Sequence, residues 1–190
     1  MKRRNKLRKN LIIIFLSISY IIVILFSWSY YPSYKLWKSI DIIISETFFK
    51  ISVFRLIHLM IGFPLFIFGM INVIEIININ QKAQLRKNVP LYLLKDGYYS
   101  KVRHPMYTMI ILIQFSLFFS LCSLLGILFS LFFTFLFMIF GLYEEKYQLL
   151  PILGEAYKNY SNELKQRFFF YPIKEGLLFL HFFMFIGAFL

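Results

Sequence analysis

The sequence predicts an all-α, polytopic membrane helical bundle: four spans, flanking interfacial helices and a short fifth apolar segment. Three observations carry this expectation. The 190-residue chain is 59% apolar and 21% aromatic but only 16% charged. About half apolar is already typical of globular chains, so lipid must solvate much of the surface. The apolar residues gather into runs near the ~20 residues that a helix needs to cross the hydrocarbon core. The basic residues gather on one side of those runs, as membrane topology requires. Residues 1–190 read as a single integral membrane domain, with no room for a separate soluble one.

The elements follow in chain order. "MKRRNKLRKN" carries Lys2, Arg3, Arg4, Lys6, Arg8 and Lys9 and runs straight into the apolar stretch 11–30, the first expected span. That stretch is longer than the roughly 7–15 residues of a signal-peptide core, and no small-residue cleavage site follows, so it reads as an uncleaved signal anchor. Ser33 to Lys50 holds Lys35, Lys38, Asp41 and Glu46, too many charges for a free span, and reads as interfacial. The second span is expected over 51–74, with Pro64 and Gly69 as kink points. Met106 to Phe140 is nearly unbroken apolar chain, too long for one crossing, with its small residues clustered in "SLCSLLG" from Ser120 to Gly126. A helical hairpin over 105–143 follows, one helix from Pro105 to about Leu121 and another from about Leu124 to Tyr143. Pro105 suits a first helical turn, where its missing N–H costs nothing. Glu144 to Pro172 is amphipathic and rich in tyrosine, and the tail from Gly176 to Leu190 reads as interfacial or re-entrant, with a short fifth span as the alternative.

Four spans with both ends in the cytosol place 17 of the 21 basic residues inside. The N-terminus is then cytosolic. The hairpin also has a geometric consequence: its start, Arg103-His104-Pro105, and its end, Glu144-Glu145, meet at one membrane face. Either group alone is an ordinary snorkelling helix end. Together they place carboxylates at a helix C-terminus, where the dipole is negative and a cationic partner is required. His58 and Arg55 are expected at the far headgroups as anchors, and His181 as a structural residue. Cys122 is the single cysteine, which excludes an internal disulfide, and no His/Cys cluster has metal-ligand spacing. The net charge of +12 points to anionic membrane lipid rather than to nucleic acid.

Taken in order, "GYYSKVRHPMY", a membrane hairpin, "EE", "LGEAYKNY" and an Arg with a nearby Pro resemble one family, the isoprenylcysteine carboxyl methyltransferases with their phospholipid methyltransferase relatives. The match covers Leu91 to Pro172. The resemblance implies an integral membrane enzyme that moves a methyl group from S-adenosylmethionine to a lipophilic acceptor: a small molecule, a lipid or a lipidated substrate, reacting through a carboxylate, thiol or headgroup. It also implies a cytosolic cofactor site in the core 91–172. Leu94, Lys95 and Gly97 would lie in the strip leading to the site, and Tyr99 would line it. Arg103, His104, Pro105 and Met106 would form a helix-start cradle, with Glu144 and Glu145 holding polar groups of the cofactor. The chemistry suits the ligand: a helix N-terminus and an Arg favour its carboxylate, glutamates its ammonium or ribose hydroxyls, and tyrosines its cation or adenine.

The chain departs from the family pattern at Met109, where a Gly is usual, and at Phe140, where isoprenylcysteine-type members carry a basic residue. The spacing from Arg167 to Pro172 is also longer than usual. Two other classes fit the hydropathy: an NADPH-dependent membrane reductase of sterol-reductase-like architecture, and a non-catalytic membrane subunit. No Gly-x-Gly-x-x-Gly fingerprint is present. The methyl acceptor and the oligomeric state are not written in the sequence.

Overall fold

A computed structural model describes residues 18, 21, 22, 43–45, 51–86, 89, 90 and 92–189. Most of the expected first span and signal anchor over 11–30, and most of the segment expected to be interfacial, lie outside these residues. The described chain is helical apart from two short antiparallel ladders. Strand β1 (Ile43–Ser45) pairs with β2 (Ile51–Ser52), and β3 (Gln84–Arg86) pairs with β4 (Val89–Pro90).

Helix α1 spans Val53–Lys82, starting directly after β2 and running eight residues past the expected end at Ile74. Its 30 residues make a rod of ~45 Å at 1.5 Å per residue, against a hydrocarbon core of about 30 Å. The extra turns, Glu75 to Lys82, are rich in Asn, Gln and Lys, and Pro64 is carried inside the helix. Helices α2 (Pro105–Ser120) and α3 (Leu124–Glu144) are the expected hairpin. The reversal is made by Leu121 to Ser123. Cys122 takes a left-handed backbone at φ 53°, and the Ser123 hydroxyl caps α3 by accepting from the Gly126 N–H at 2.9 Å. A π-helical turn, Glu145–Leu149, then leads into α4 (Leu150–Glu163). Gly154 breaks α4 at φ 53°, ψ −130°, a region that glycine enters without steric cost.

The bundle is held by small residues at close approaches. A Cβ added at Gly62 of α1 would sit 2.2 Å from Ser120 Oγ and 2.8 Å from Ser116 O of α2, and one at Gly69 would sit 2.7 Å from Ile113 Cγ1. Small residues let membrane helices pack backbone to backbone, where lipid offers no hydrophobic drive between them. The Ser116 and Ser120 hydroxyls donate back to the carbonyls of Leu112 (2.6 Å) and Ser116 (2.8 Å), so they are satisfied within α2. Gly126 of α3 lies equally tight on Phe118. Between these contacts the core closes around Ile76, Phe115, Phe118, Phe119 and Ile127. Met109, where the resembling pattern has Gly, is fully buried there. The small partner stands on the other helix, since the Cβ position of Gly69 is 3.6 Å from Met109 O.

One expectation changes. His58 is not a headgroup anchor: it is fully buried, with its ring stacked on Phe119 at 4.5 Å. The tail, expected as interfacial or re-entrant with a short fifth span as the alternative, is a helix, α5 (Ile173–Phe189), that packs against the bundle. Leu177 joins the core, and His181 stacks on Phe115 at 4.2 Å and bonds through Nδ1 to Leu177 O at 2.6 Å. An aromatic core face for the ring and a backbone acceptor for its N–H explain why the histidine goes inward.

Two helical runs, Arg55–Lys82 and Leu125–Glu163, are long and apolar enough to cross a membrane, and α2 is apolar but shorter. They expose many large apolar side chains, such as Met60 and Ile71 on the first run and Phe132 and Phe135 on the second, and exposed apolar surface on this scale marks contact with lipid or another apolar partner.

Candidate functional site

The site is built where α2 starts and α3 ends. The chain leaves α1, passes β3 and β4, and returns along 92–104. A 3₁₀ turn, Gly97–Ser100, is entered through Gly97 at φ 61°. Two tyrosines tie this strip to the end of α1. The Tyr98 hydroxyl lies between Asn72 Oδ1 and Glu75 Oε2, and the Tyr99 hydroxyl donates to Asn80 Oδ1. The strip then meets the segment after α4. Arg103 N–H donates to Gln166 O at 3.0 Å and His104 N–H to Arg167 O at 2.8 Å.

Pro105 occupies the first turn of α2, with His104 as N-cap, and the His104 side chain does not cap the helix. Thr108 N–H is the first to find a helical acceptor, His104 O. The N–H groups of Met106 and Tyr107 are thus left with no carbonyl of their own helix.

Glu145 sits at the centre of the polar cluster. Its Oε2 accepts from Arg103 Nη1 at 3.2 Å and lies 3.4 Å from Arg167 Nε, and its Oε1 is 3.0 Å from His104 Nε2. Burial acts to raise its pKa. The His104 hydrogen bond and the charges of Arg103, His104 and Arg167 outweigh burial and hold the carboxyl below its usual value. Glu144 faces the other way. Its Oε2 accepts from the Tyr107 hydroxyl at 3.1 Å and lies 3.7 Å from His104 Nδ1. The His104 ring is sandwiched between Tyr107 (5.6 Å) and Phe168 (5.3 Å). Phe168 in turn lies where a Cβ on Gly141 would be, 2.6 Å away.

Beyond the Gly154 kink, α4 turns Tyr157 and Tyr160 inward; both are buried, and the Tyr160 hydroxyl donates to Tyr99 O at 2.6 Å. Burial pushes the Tyr99 phenol up to about 12, with the Asn80 bond acting against it and Glu144 with it. Burial also raises Tyr157 and Tyr160. These phenols are neutral hydroxyls at physiological pH.

A cavity of about 670 Å³ opens here, within the roughly 300–1,000 Å³ range of small-molecule sites. Leu94, Tyr99, Arg103, His104, Pro105, Met106 and Glu144, which the resemblance implies for the cofactor or the strip leading to it, line this cavity. Lys95 and Gly97 are exposed and stand off its wall, and Glu145 lies behind the wall rather than on it. The cavity also takes Asn80, Tyr107, Tyr157 and Tyr160, which the motifs did not single out as ligands. The i, i+3 spacing of Tyr157 and Tyr160 in an amphipathic stretch was the available signal. Asn80 had none beyond its place near a helix end.

Arg103 Nε is buried with no hydrogen-bond partner among the described residues. Arg103, two helix-start N–H groups with no acceptor in their own helix, the part-exposed carboxylate of Glu144 and several tyrosines give this cavity hydrogen-bond donors, acceptors and aromatic faces. Comparison of the chain with protein families, with curated proteins and with solved structures returns no match. The fold and the cavity define the class: a helical protein with helices long and apolar enough to cross a membrane and a cavity at one end of a helical hairpin.

Proposed function

We propose that the chain is an integral membrane methyltransferase that moves a methyl group from S-adenosylmethionine to a lipophilic acceptor. It would work in the manner of the isoprenylcysteine carboxyl methyltransferases and their phospholipid-methylating relatives. The N-terminus and the cavity lie on the cytosolic side of a four-span topology. One observation carries the reading: Arg103, His104 and Met106 from the start of the hairpin share a cavity with Glu144 from its end. The distribution of basic residues supports the orientation.

The residues fit the cofactor. The unpartnered Nε–H of Arg103 and the N–H groups of Met106 and Tyr107 suit a carboxylate. Glu144 suits an ammonium or a pair of ribose hydroxyls, and Tyr99, Tyr157 and Tyr160 offer faces for a sulfonium or an adenine. S-adenosylmethionine, when bound, supplies an electrophilic methyl on sulfur. The chain's own task is to hold the partners in line and keep water out. Alignment of this kind is worth up to roughly 7–11 kcal/mol of barrier. Apolar wall residues such as Phe140 and Leu149 keep the site dry, which favours reactions that neutralise opposite charges.

Calorimetric titration of the purified protein in detergent with S-adenosylmethionine and with NADPH tests this. S-adenosylmethionine is expected to bind and NADPH not to, and Glu144→Gln is expected to weaken binding at least tenfold. NADPH binding alone, or binding of neither, overturns the proposal. Incubating membranes with methyl-labelled cofactor and separating lipid, protein and small-thiol fractions then identifies the acceptor class.

A further inference from the structure

The two adjacent glutamates at the end of α3 do different work. Glu144 keeps a third of its side chain exposed and opens onto the cavity. The side chain of Glu145 is only 9% exposed, does not line the cavity, and is engaged through both oxygens. We infer that Glu145 is a positioning residue: it latches the strip after α4 onto the start of α2, and so sets the Arg103 and His104 side chains that face the cavity.

The contacts argue for a latch rather than a ligand. Two chain segments distant in sequence approach here, 103–104 and 166–168, and each brings an arginine. Unneutralised, the two guanidinium groups oppose the two backbone bonds that join the segments, Arg103 N–H to Gln166 O and His104 N–H to Arg167 O. Oε2 of Glu145 takes both arginines and Oε1 takes His104. The carboxylate is 9% exposed and off the cavity lining, so a molecule in the cavity has little access to it. Phe168, packed on Gly141 and stacked on His104, supplies the apolar half of the same closure. The inference rests on the methyltransferase reading only for what the cavity holds; the latch is a property of the chain.

The test is native-state hydrogen exchange on the purified full chain in detergent, run beside S-adenosylmethionine titration. For Glu145→Gln, the amides of Arg103 and His104 are expected to exchange at least tenfold faster, with those in the middle of α2 and α3 unchanged, and cofactor affinity to fall at least tenfold. Glu145→Asp is expected to restore part of both. Glu144→Gln is expected to weaken binding with exchange at the wild-type rate. Arg167→Gln changes a half-exposed residue. It is expected to raise exchange at the same amides, and the double variant Glu145→Gln/Arg167→Gln to exchange no faster than the faster single. Unchanged exchange in Arg167→Gln, equal acceleration by Glu144→Gln, or no rescue by Asp overturns the latch. Faster exchange in Glu145→Gln from a wild-type protein that binds no S-adenosylmethionine removes the cofactor reading and upholds the latch.

Discussion

Arg103 and Glu145 are 42 positions apart in the chain and 3.2 Å apart in space, and both side chains are buried. The hairpin of α2 and α3 is the cause. Its two helices run out and back, so the residue two before the first helix meets the residue one after the second. A buried ion pair of this sort is not in itself a source of stability, because desolvation offsets much of the attraction. Its value is geometric. It holds a guanidinium at the mouth of a helix start whose first N–H groups have no acceptor in their own helix.

Breaking that pair from one side should be costly. Arg103→Ala leaves Glu145 buried with fewer partners, and loss of one member of a buried pair typically costs about 3–5 kcal/mol. Arg167 and His104 remain, which puts the expected loss at the lower end of that range. Thermal unfolding in detergent measures it. A variant as stable as the wild type would mean that the pair is solvated in the native protein.

The helix contact between α1 and α2 should tolerate no side chain at Gly62. An added methyl would meet both Ser120 Oγ and the Ser116 carbonyl, and the second is backbone that cannot swing aside. Gly62→Ala is expected to destabilise by about 1–3 kcal/mol, the usual penalty of overpacking. Gly176→Ala, where nothing lies within 4 Å, is the control expected to be neutral or slightly stabilising. Equal melting temperatures for the two variants would refute the close approach.

The topology can be read with two cysteines. Lys101 precedes the hairpin and Lys146 follows it, and both are exposed, whereas Cys122 is buried at the turn. Lys101→Cys and Lys146→Cys are expected to react with a membrane-impermeant maleimide from the same side of sealed vesicles. Labelling from opposite sides would separate the two halves of the cavity and remove the proposed site.

Much of this was legible in the chain. The hairpin was, because "SLCSLLG" is the only small-residue cluster in an apolar run too long for one crossing, and Pro105 marks the helix start. The convergence of 103–106 with Glu144 followed from that. What the chain hid depends on packing between distant segments. Nothing local tells Glu144 from Glu145; the difference is that Glu145 faces Arg167, 22 residues further along the chain. His58 looked like an anchor because depth alone was considered, whereas Phe119 offers it a stacking surface. Lys95 and Gly97 were placed by the resemblance in the strip that leads to the site, and both are exposed residues of that strip that do not line the cavity.

The pH profile should carry the signature of Glu145. Its folded-state pKa is depressed, so the unfolded chain binds a proton more readily than the folded one. Stability then falls with falling pH wherever the two states differ in bound protons. The contribution is fully present above the ordinary carboxylate value of 4.5, declines as pH drops below it, and is gone below the lowered value. The groups facing this carboxylate are Arg103 and His104 at the start of α2, Arg167 on the following strip, and Tyr157 and Tyr160 on α4. The arginines stay charged throughout and the phenols stay neutral, with Tyr99 nearby titrating only at about 12. Thermal stability of the wild type measured from pH 7 down to pH 3 should therefore fall more steeply than that of Glu145→Gln, which has no proton to gain at this position. Parallel profiles for the two proteins would show that Glu145 is not held ionised by its neighbours, and the meeting of Arg103, His104 and Arg167 at one point would need another explanation.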